Sequence, residues 1–330
     1  MKILVIGGTV FVGRHIVESA IENGHNVTLF NRGKTNADLF PEANKIVGDR
    51  ESDLSVLREQ DWDAVIDVCG YLPRIVRRSA EALKDVCRQY IFVSTGSVYK
   101  DKSKPGITEE SELEVPQNME AERMTDEAYG ELKAGCEQVV QNIYSDRALI
   151  VRPGLVIGPE DPTDRFTYWP VRVAAGGKVL APGKPERQIQ FIDARDLADW
   201  VCLLIKHRTN GIFNAIGPGY VLTMSRLLDA CKVCSQSDAE FVWVADDFLE
   251  QRKVDAWVDL PLWIPANSEL SGFLSRDNSK AIAAGLKFRS IETTISDTLQ
   301  WWNSTHKHPK ELRTGLSMER EAELLLQLTP

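Results

Sequence analysis

The first strand-length apolar run, Ile3-Leu4-Val5-Ile6, leads directly into Gly7-Gly8-Thr9-Val10-Phe11-Val12-Gly13, and a helical pattern begins at Arg14-His15-Ile16-Val17. A strand that turns on glycines into a helix aims unpaired helix N–H groups and the positive end of the helix dipole at one point, which suits an anion. The glycines let a diphosphate approach the backbone, so Gly7, Thr9, Phe11, Val12 and Gly13 are expected to hold a dinucleotide. A plain tight turn would use the same glycines; the position at the head of a strand-helix series favours the dinucleotide.

That series continues with apolar runs at Asn26 to Phe30, Ala64 to Val68, Tyr90 to Val93 and Ala148 to Val151, alternating with helical stretches at Arg74 to Cys87 and Glu127 to Ile143. The runs are continuously apolar, as strands covered on both faces are. They predict an α/β fold, a Rossmann-like doubly wound parallel sheet with a smaller C-terminal substrate-binding lobe. Past Pro153 the pattern loosens, and Pro and Gly gather at 158–159, 176–177, 182–183 and 217–219. The expected division is a dinucleotide domain over 1–155 with returning segments near 188–216, and a lobe over 156–187 and 217–330. Within the lobe, Asp246 to Pro265 carries Trp257 and Trp263 among acids and prolines and reads as an irregular cap.

Composition narrows the partners. The 330 residues are 43% hydrophobic, enough for one large core or two moderate ones. With 48 acidic against 39 basic side chains the formal charge is −9, which argues against nucleic acid and for a small-molecule substrate. The N-terminal apolar run is too short for a signal-peptide core or a membrane span, so the cytoplasm is the expected compartment, with no membrane contact. A homodimer stays open. Cys69, Cys87, Cys136, Cys202, Cys231 and Cys234 lack framework spacing, and Cys231 and Cys234 have no second pair. Reduced thiols and no metal are expected.

At the end of the second strand, where a dinucleotide fold normally carries an acid for the ribose hydroxyls, the chain reads Asn31-Arg32-Gly33-Lys34. An uncharged Asn31 does not repel a 2'-phosphate, and Arg32 can grip one in a bidentate fork, with Lys34 beside it. NADP is therefore preferred over NAD, which stays possible; solvated loop charges are the plain alternative. Further on, Tyr129 and Lys133 lie one helical turn apart, so the ammonium can approach the phenol and lower its pKa. Such a tyrosine can exchange a proton with a carbonyl or alcohol oxygen, and Thr95 can orient that oxygen.

In order along the chain, these motifs resemble the extended short-chain dehydrogenase/reductase superfamily, specifically its NAD-dependent epimerase/dehydratase group. Gly7 to Gly13 looks like the glycine motif, Gly48-Asp49-Arg50 like the turn that meets adenine, and Val93 to Tyr99 like the strand with the catalytic Ser or Thr. Tyr129 and Lys133 resemble the catalytic pair, and Val151 to Pro159 the strand and loop facing nicotinamide. Phe191 to Ala198 resembles the return to the sheet, and Asp277-Asn278-Ser279-Lys280 with Gly285-Leu286 the C-terminal signature. The resemblance implies that Thr95, Tyr129 and Lys133 are catalytic, that Lys133 also holds the nicotinamide ribose, and that Asp49, Arg50, Cys69, Gly70 and Pro153 meet the cofactor. It implies an NAD(P)-dependent oxidoreductase acting on a carbonyl or alcohol of a small molecule. The alternatives are a sugar or nucleotide-sugar epimerase with retained NAD, and a non-catalytic nucleotide-sensing or RNA-associated relic.

Four departures narrow that expectation. Val10 replaces the middle glycine, a form similar to the atypical branch that includes chloroplast stem-loop-binding proteins. Gly96-Ser97 follows Thr95 where sugar-nucleotide 4,6-dehydratases carry Asp-Glu, so that dehydration is disfavoured. Ile189 stands where epimerases usually carry an arginine for the substrate diphosphate, with Arg187 two residues earlier on the same strand face. Lys100 replaces the glycine after Tyr99. Substrate contacts are expected from Ser94, Arg165, Tyr168, Trp169 and Arg187, although Phe166 and Trp169, three apart, fit a helix core equally well.

Overall fold

A computed structural model describes residues 1–305 and 311–328. Seven strands form one parallel sheet: β1 (Lys2–Ile6), β2 (Asn26–Asn31), β3 (Asn44–Val47), β4 (Ala64–Asp67), β5 (Tyr90–Val93), β6 (Ala148–Pro153) and, returning from the lobe, Gly211–Ala215. Between β6 and that return come β7 (Val156–Ile157), β8 (Lys178–Pro182) and β9 (Gln188–Asp193), which makes Gly211–Ala215 β10. The order is β10-β6-β5-β4-β1-β2-β3, so the chain winds outward from β1 in both directions, as a doubly wound sheet does.

The apolar runs follow from this placement. Ile3 and Val5 of β1 join one core under α1 (Phe11–Glu22), while Leu4 and Ile6 join a second core under α2 (Pro73–Leu83) and α3 (Tyr129–Tyr144). Alternate side chains point to opposite faces and both faces are covered, so every position of the strand is apolar. The edge strand β3 escapes the sequence pattern because its NKIV segment is largely exposed and carries no hydrophobic run.

The segment 188–216 divides between the two halves. β9 leaves the main sheet for a three-stranded one with β7 and β11 (Gly217–Thr223), whereas the helix Ala194–His207 packs on α1 and β10 rejoins the main sheet. β8 pairs with β12 (Glu240–Val244), and around these small sheets lies a separate core that includes Phe166, Trp169, Leu180, Leu228 and Trp263. Asp246 to Pro265 packs onto it, with the Trp263 indole donating to Asp246 at 2.9 Å. No described helix is long and apolar enough to cross a membrane.

One buried charge pair joins α3 to β6. Arg152 on β6 donates to both oxygens of Glu137 on α3, at 2.7 to 3.2 Å, with both side chains about 1% exposed. Its remaining nitrogen reaches the Tyr99 hydroxyl and the Glu109 carbonyl, and Tyr99 in turn donates to Asn214 of β10 at 2.6 Å. Removing one member leaves the other charged, buried and alone. Glu137→Leu should therefore destabilise the fold by about 3–5 kcal/mol, while Glu137→Leu with Arg152→Met recovers most of the loss. Urea denaturation of both variants measures this, and equal losses in the two would contradict it.

Candidate active site

The cofactor end is built by the turn between β1 and α1. Gly7 and Gly8 adopt φ of 103° and 94°, open to glycine and costly for other residues. A Cβ on Gly13 would stand 2.9 Å from Val68 and 3.0 Å from the Gly8 backbone, so this glycine is what lets helix and turn close together. The first turn of α1 has neither a capping side chain nor an acidic residue, which leaves its N–H groups to an anion.

Above the turn lies a cleft of about 700 Å³. Its walls include Gly7, Thr9, Phe11, Val12, Gly13, Asn31, Arg32, Lys34, Asp49, Arg50 and Cys69. The glycine cradle, uncapped helix start and elongated wall fit a dinucleotide. Gly70, Pro153 and Lys133 lie behind these walls as buried residues; a Cβ on Gly70 would meet Phe92 at 2.6 Å.

Several polar residues do something other than the sequence predicts. Arg50 is not free for a cofactor: it donates to both oxygens of buried Asp67, at 2.9 and 2.6 Å, and to Ser79 at 2.9 Å, stapling its turn to the end of β4. Asn31 ties β2 to the glycine turn, donating to the Gly7 carbonyl at 3.1 Å and accepting from the Gly33 N–H at 2.9 Å. Arg32 and Lys34 are exposed on the rim and make no ion pair among the described residues. Asp49 is exposed on the opposite wall.

At the other end, Thr95 follows β5 and Tyr129 begins α3. Burial pushes the Tyr129 phenol up, while hydrogen bonding with Thr95 and the nearby Arg165 charge pull it down. Arg165 is the cation among the causes acting on the phenol. Lys133 instead donates to the Gly70 and Val93 carbonyls, both at 2.8 Å, with its ammonium 4.2 Å from the Phe92 ring centre, and burial pushes its pKa down. It joins the ends of β4 and β5, using two of its three protons.

The expected substrate residues scatter. Arg165 stays half-buried near Tyr129, 5.9 Å from the Trp257 ring centre. Tyr168 and Trp169 are core, not pocket: both are at most 1% exposed, and the Trp169 indole donates to the Pro261 carbonyl at 2.8 Å. Arg187 is consumed by Asp246, at 2.5 Å, and by the Ile264 carbonyl. Ser94 is buried with its hydroxyl unpartnered, and surface Lys100 pairs with Glu112 at 2.6 Å. Sequence reasoning placed Trp257 only in an irregular cap and passed over Arg276. Arg276 stands beside Gly96 and Gly154, and only its place before the Asp277 signature could have drawn notice.

The cradle yields a direct test. Gly13→Val forces a branched side chain into Val68 and the Gly8 backbone, so dinucleotide binding should disappear in calorimetry while far-UV circular dichroism keeps its α/β signature. Undiminished affinity would place the cofactor elsewhere.

Comparisons agree with this geometry. The chain is 28% identical over 250 residues to the chloroplast stem-loop binding protein of 41 kDa b of Arabidopsis thaliana, covering 70% of this chain and 62% of that protein. It is 27% identical over 171 residues to the UDP-glucose 4-epimerase of Neisseria meningitidis serogroup C, covering 43% of this chain and 48% of that enzyme. The match thus spans less than two thirds of each of these curated relatives. The solved UDP-glucuronic acid 4-epimerase from Bacillus cereus in complex with NAD shares the fold, with a TM-score of 0.67 at 16% identity over 94% of this chain and 100% of that one. With residues 3–216 matching the family model, this chain belongs to the NAD dependent epimerase/dehydratase family.

Proposed function

We propose that this protein is an epimerase-type enzyme that works on a secondary alcohol of a sugar or nucleotide-sugar with a nicotinamide dinucleotide held in the glycine-lined cleft. The observation that carries the reading is the packing of the start of α3, which carries Tyr129, against the segment after Thr95 at the end of β5, where a Cβ on Gly130 would land on the Ser97 carbonyl. Epimerase relatives support this over the net carbonyl reduction that the sequence favoured first. Gly96-Ser97, without an acid and base, speaks against water elimination. RNA association is a second reading, carried by the name of the chloroplast relative, and the −9 charge weighs against it.

A bound nicotinamide supplies reversible hydride transfer at the alcohol carbon. Tyr129 takes the proton from the alcohol oxygen and returns it, Thr95 hydrogen-bonds that oxygen, and Arg165 keeps the buried phenol from rising further. Lys133 locks the Gly70 turn to β5 and has one proton left for the nicotinamide ribose.

Tyr129→Phe should keep the fold and cofactor affinity while turnover falls by about two to four orders of magnitude, the range for a positioned acid or base. Kinetics on UDP-glucose and related sugars, beside a melting curve, decides; near wild-type turnover would remove Tyr129 from the chemistry. Release of stoichiometric NAD or NADP on denaturing the purified protein is the epimerase signature. The cofactor half of the proposal prefers NADP, with NAD accepted, because uncharged Asn31 ends β2 and Arg32 makes no ion pair among the described residues. Arg32→Ala should weaken NADPH by about 1–3 kcal/mol and leave NADH unchanged in a titration, and equal losses would overturn the preference.

A further inference from the structure

Arg276 is 3% exposed, and none of its three guanidinium nitrogens has a hydrogen-bond partner. Burial pulls its pKa down to about 10, the Tyr99 phenol pulls the other way, and no carboxylate forms an ion pair with it among the described residues. Arg152 has Glu137, Arg50 has Asp67 and Arg187 has Asp246, while half-buried Arg165 makes no ion pair among the described residues; Arg276 differs from all of these in being buried with no polar partner on any of its three nitrogens. A buried cation without a counter-charge costs several kcal/mol, so its retention points to a group that arrives from outside.

Its surroundings say where that group belongs. A Cβ on Gly96, the residue after Thr95, would land on the guanidinium, and one on Gly154, at the end of β6, would meet it at 2.9 Å. Two glycines thus make room for the charge beside the reacting hydroxyls. The backbone of Arg276 is clasped on both sides by the Gln190 side chain of β9, at 2.8 and 2.9 Å, so the residue is held from the lobe while its head reaches the main domain. Its outer side is covered by the Phe273 ring, 4.9 Å away, which Trp257 meets edge-on.

We propose that Arg276 binds an oxyanion of the substrate, a carboxylate or phosphoryl group carried on the sugar beside the reacting carbon. The fork of N–H donors matches either anion bidentately, whereas a neutral hydroxymethyl group leaves the charge uncompensated. The inference rests on the placement of the reaction at Thr95 and Tyr129, and it assigns the substrate class to that site: an acidic or phosphorylated sugar. Arg187, the arginine the sequence suggested, is already neutralised.

The test is a thermal shift of the full chain in the presence of NAD⁺, with millimolar D-glucose, D-glucuronate, D-glucose 6-phosphate and inorganic phosphate as probes. At least one anionic sugar should raise the melting temperature of wild type, its identity separating carboxylate from phosphoryl, while glucose does not. Arg276→Gln should lose that shift, and Tyr129→Phe should keep it. The proposal is overturned if neither anionic sugar shifts wild type, if Arg276→Gln shifts equally, or if inorganic phosphate alone matches the sugars. Arg276→Met without added sugar provides a second reading: relieved of a buried unpaired charge, it should melt no lower than wild type, and a drop of several degrees would make the guanidinium a packing element instead. These shifts need no turnover, so a failed assignment of Tyr129 leaves them intact, and their absence leaves that assignment standing.

Discussion

Everything at the reaction end depends on one polar stripe along α3. Tyr129, Lys133 and Glu137 are each four residues apart and face the sheet, and the two inner members are fixed by partners: Lys133 by the Gly70 and Val93 carbonyls, Glu137 by Arg152. A helix held at two successive turns has little freedom to rotate or slide. Tyr129, one turn further out, is therefore carried to the end of β5 by contacts it does not itself make. Lys133 and Glu137 are about as buried as any apolar side chain, so the hydrogen bonds they make are a condition of the fold.

The same logic runs through the cofactor end. Asp67 closes β4 and gathers Arg50, Tyr90 and the Cys69 N–H on one buried carboxylate. That knot sets the height of the Asp49 turn against the β1 turn and so the width of the cleft. Arg50 acts as a strut that shapes the wall of the cleft. Residues near a ligand site commonly divide into groups that touch and groups that hold the touching ones in place. Here the buried ones hold, and Asp49, Arg32 and the glycine backbone remain on the surface of the cleft.

Arg276 departs furthest from this pattern of satisfied charges, with none of its three nitrogens partnered, and it lies where the two halves meet. The lobe supplies its backbone anchor through Gln190, and the main domain supplies the space through Gly96 and Gly154. The Phe273 ring of the lobe lies over the Arg276 guanidinium, and Trp257, which meets Phe273 edge-on, lies over Arg165, so the two arginines share one aromatic pair.

The amino-acid order alone determined the elements with local signatures. The glycine turn, the two-sided strands, the Thr95 strand end and the Tyr129–Lys133 spacing are properties of a few neighbouring residues, and strand and helix periodicity expose them without knowledge of the rest. Tertiary structure alone decided which charges are spoken for. Arg187 meets Asp246, 59 residues later, Arg152 meets Glu137 from another element, Lys133 turns from the phenol to two carbonyls, and Arg276 meets nothing. An arginine reads the same in sequence whether paired or free, because ion pairing depends on what long-range packing brings within about 4 Å, a distance local patterning does not encode.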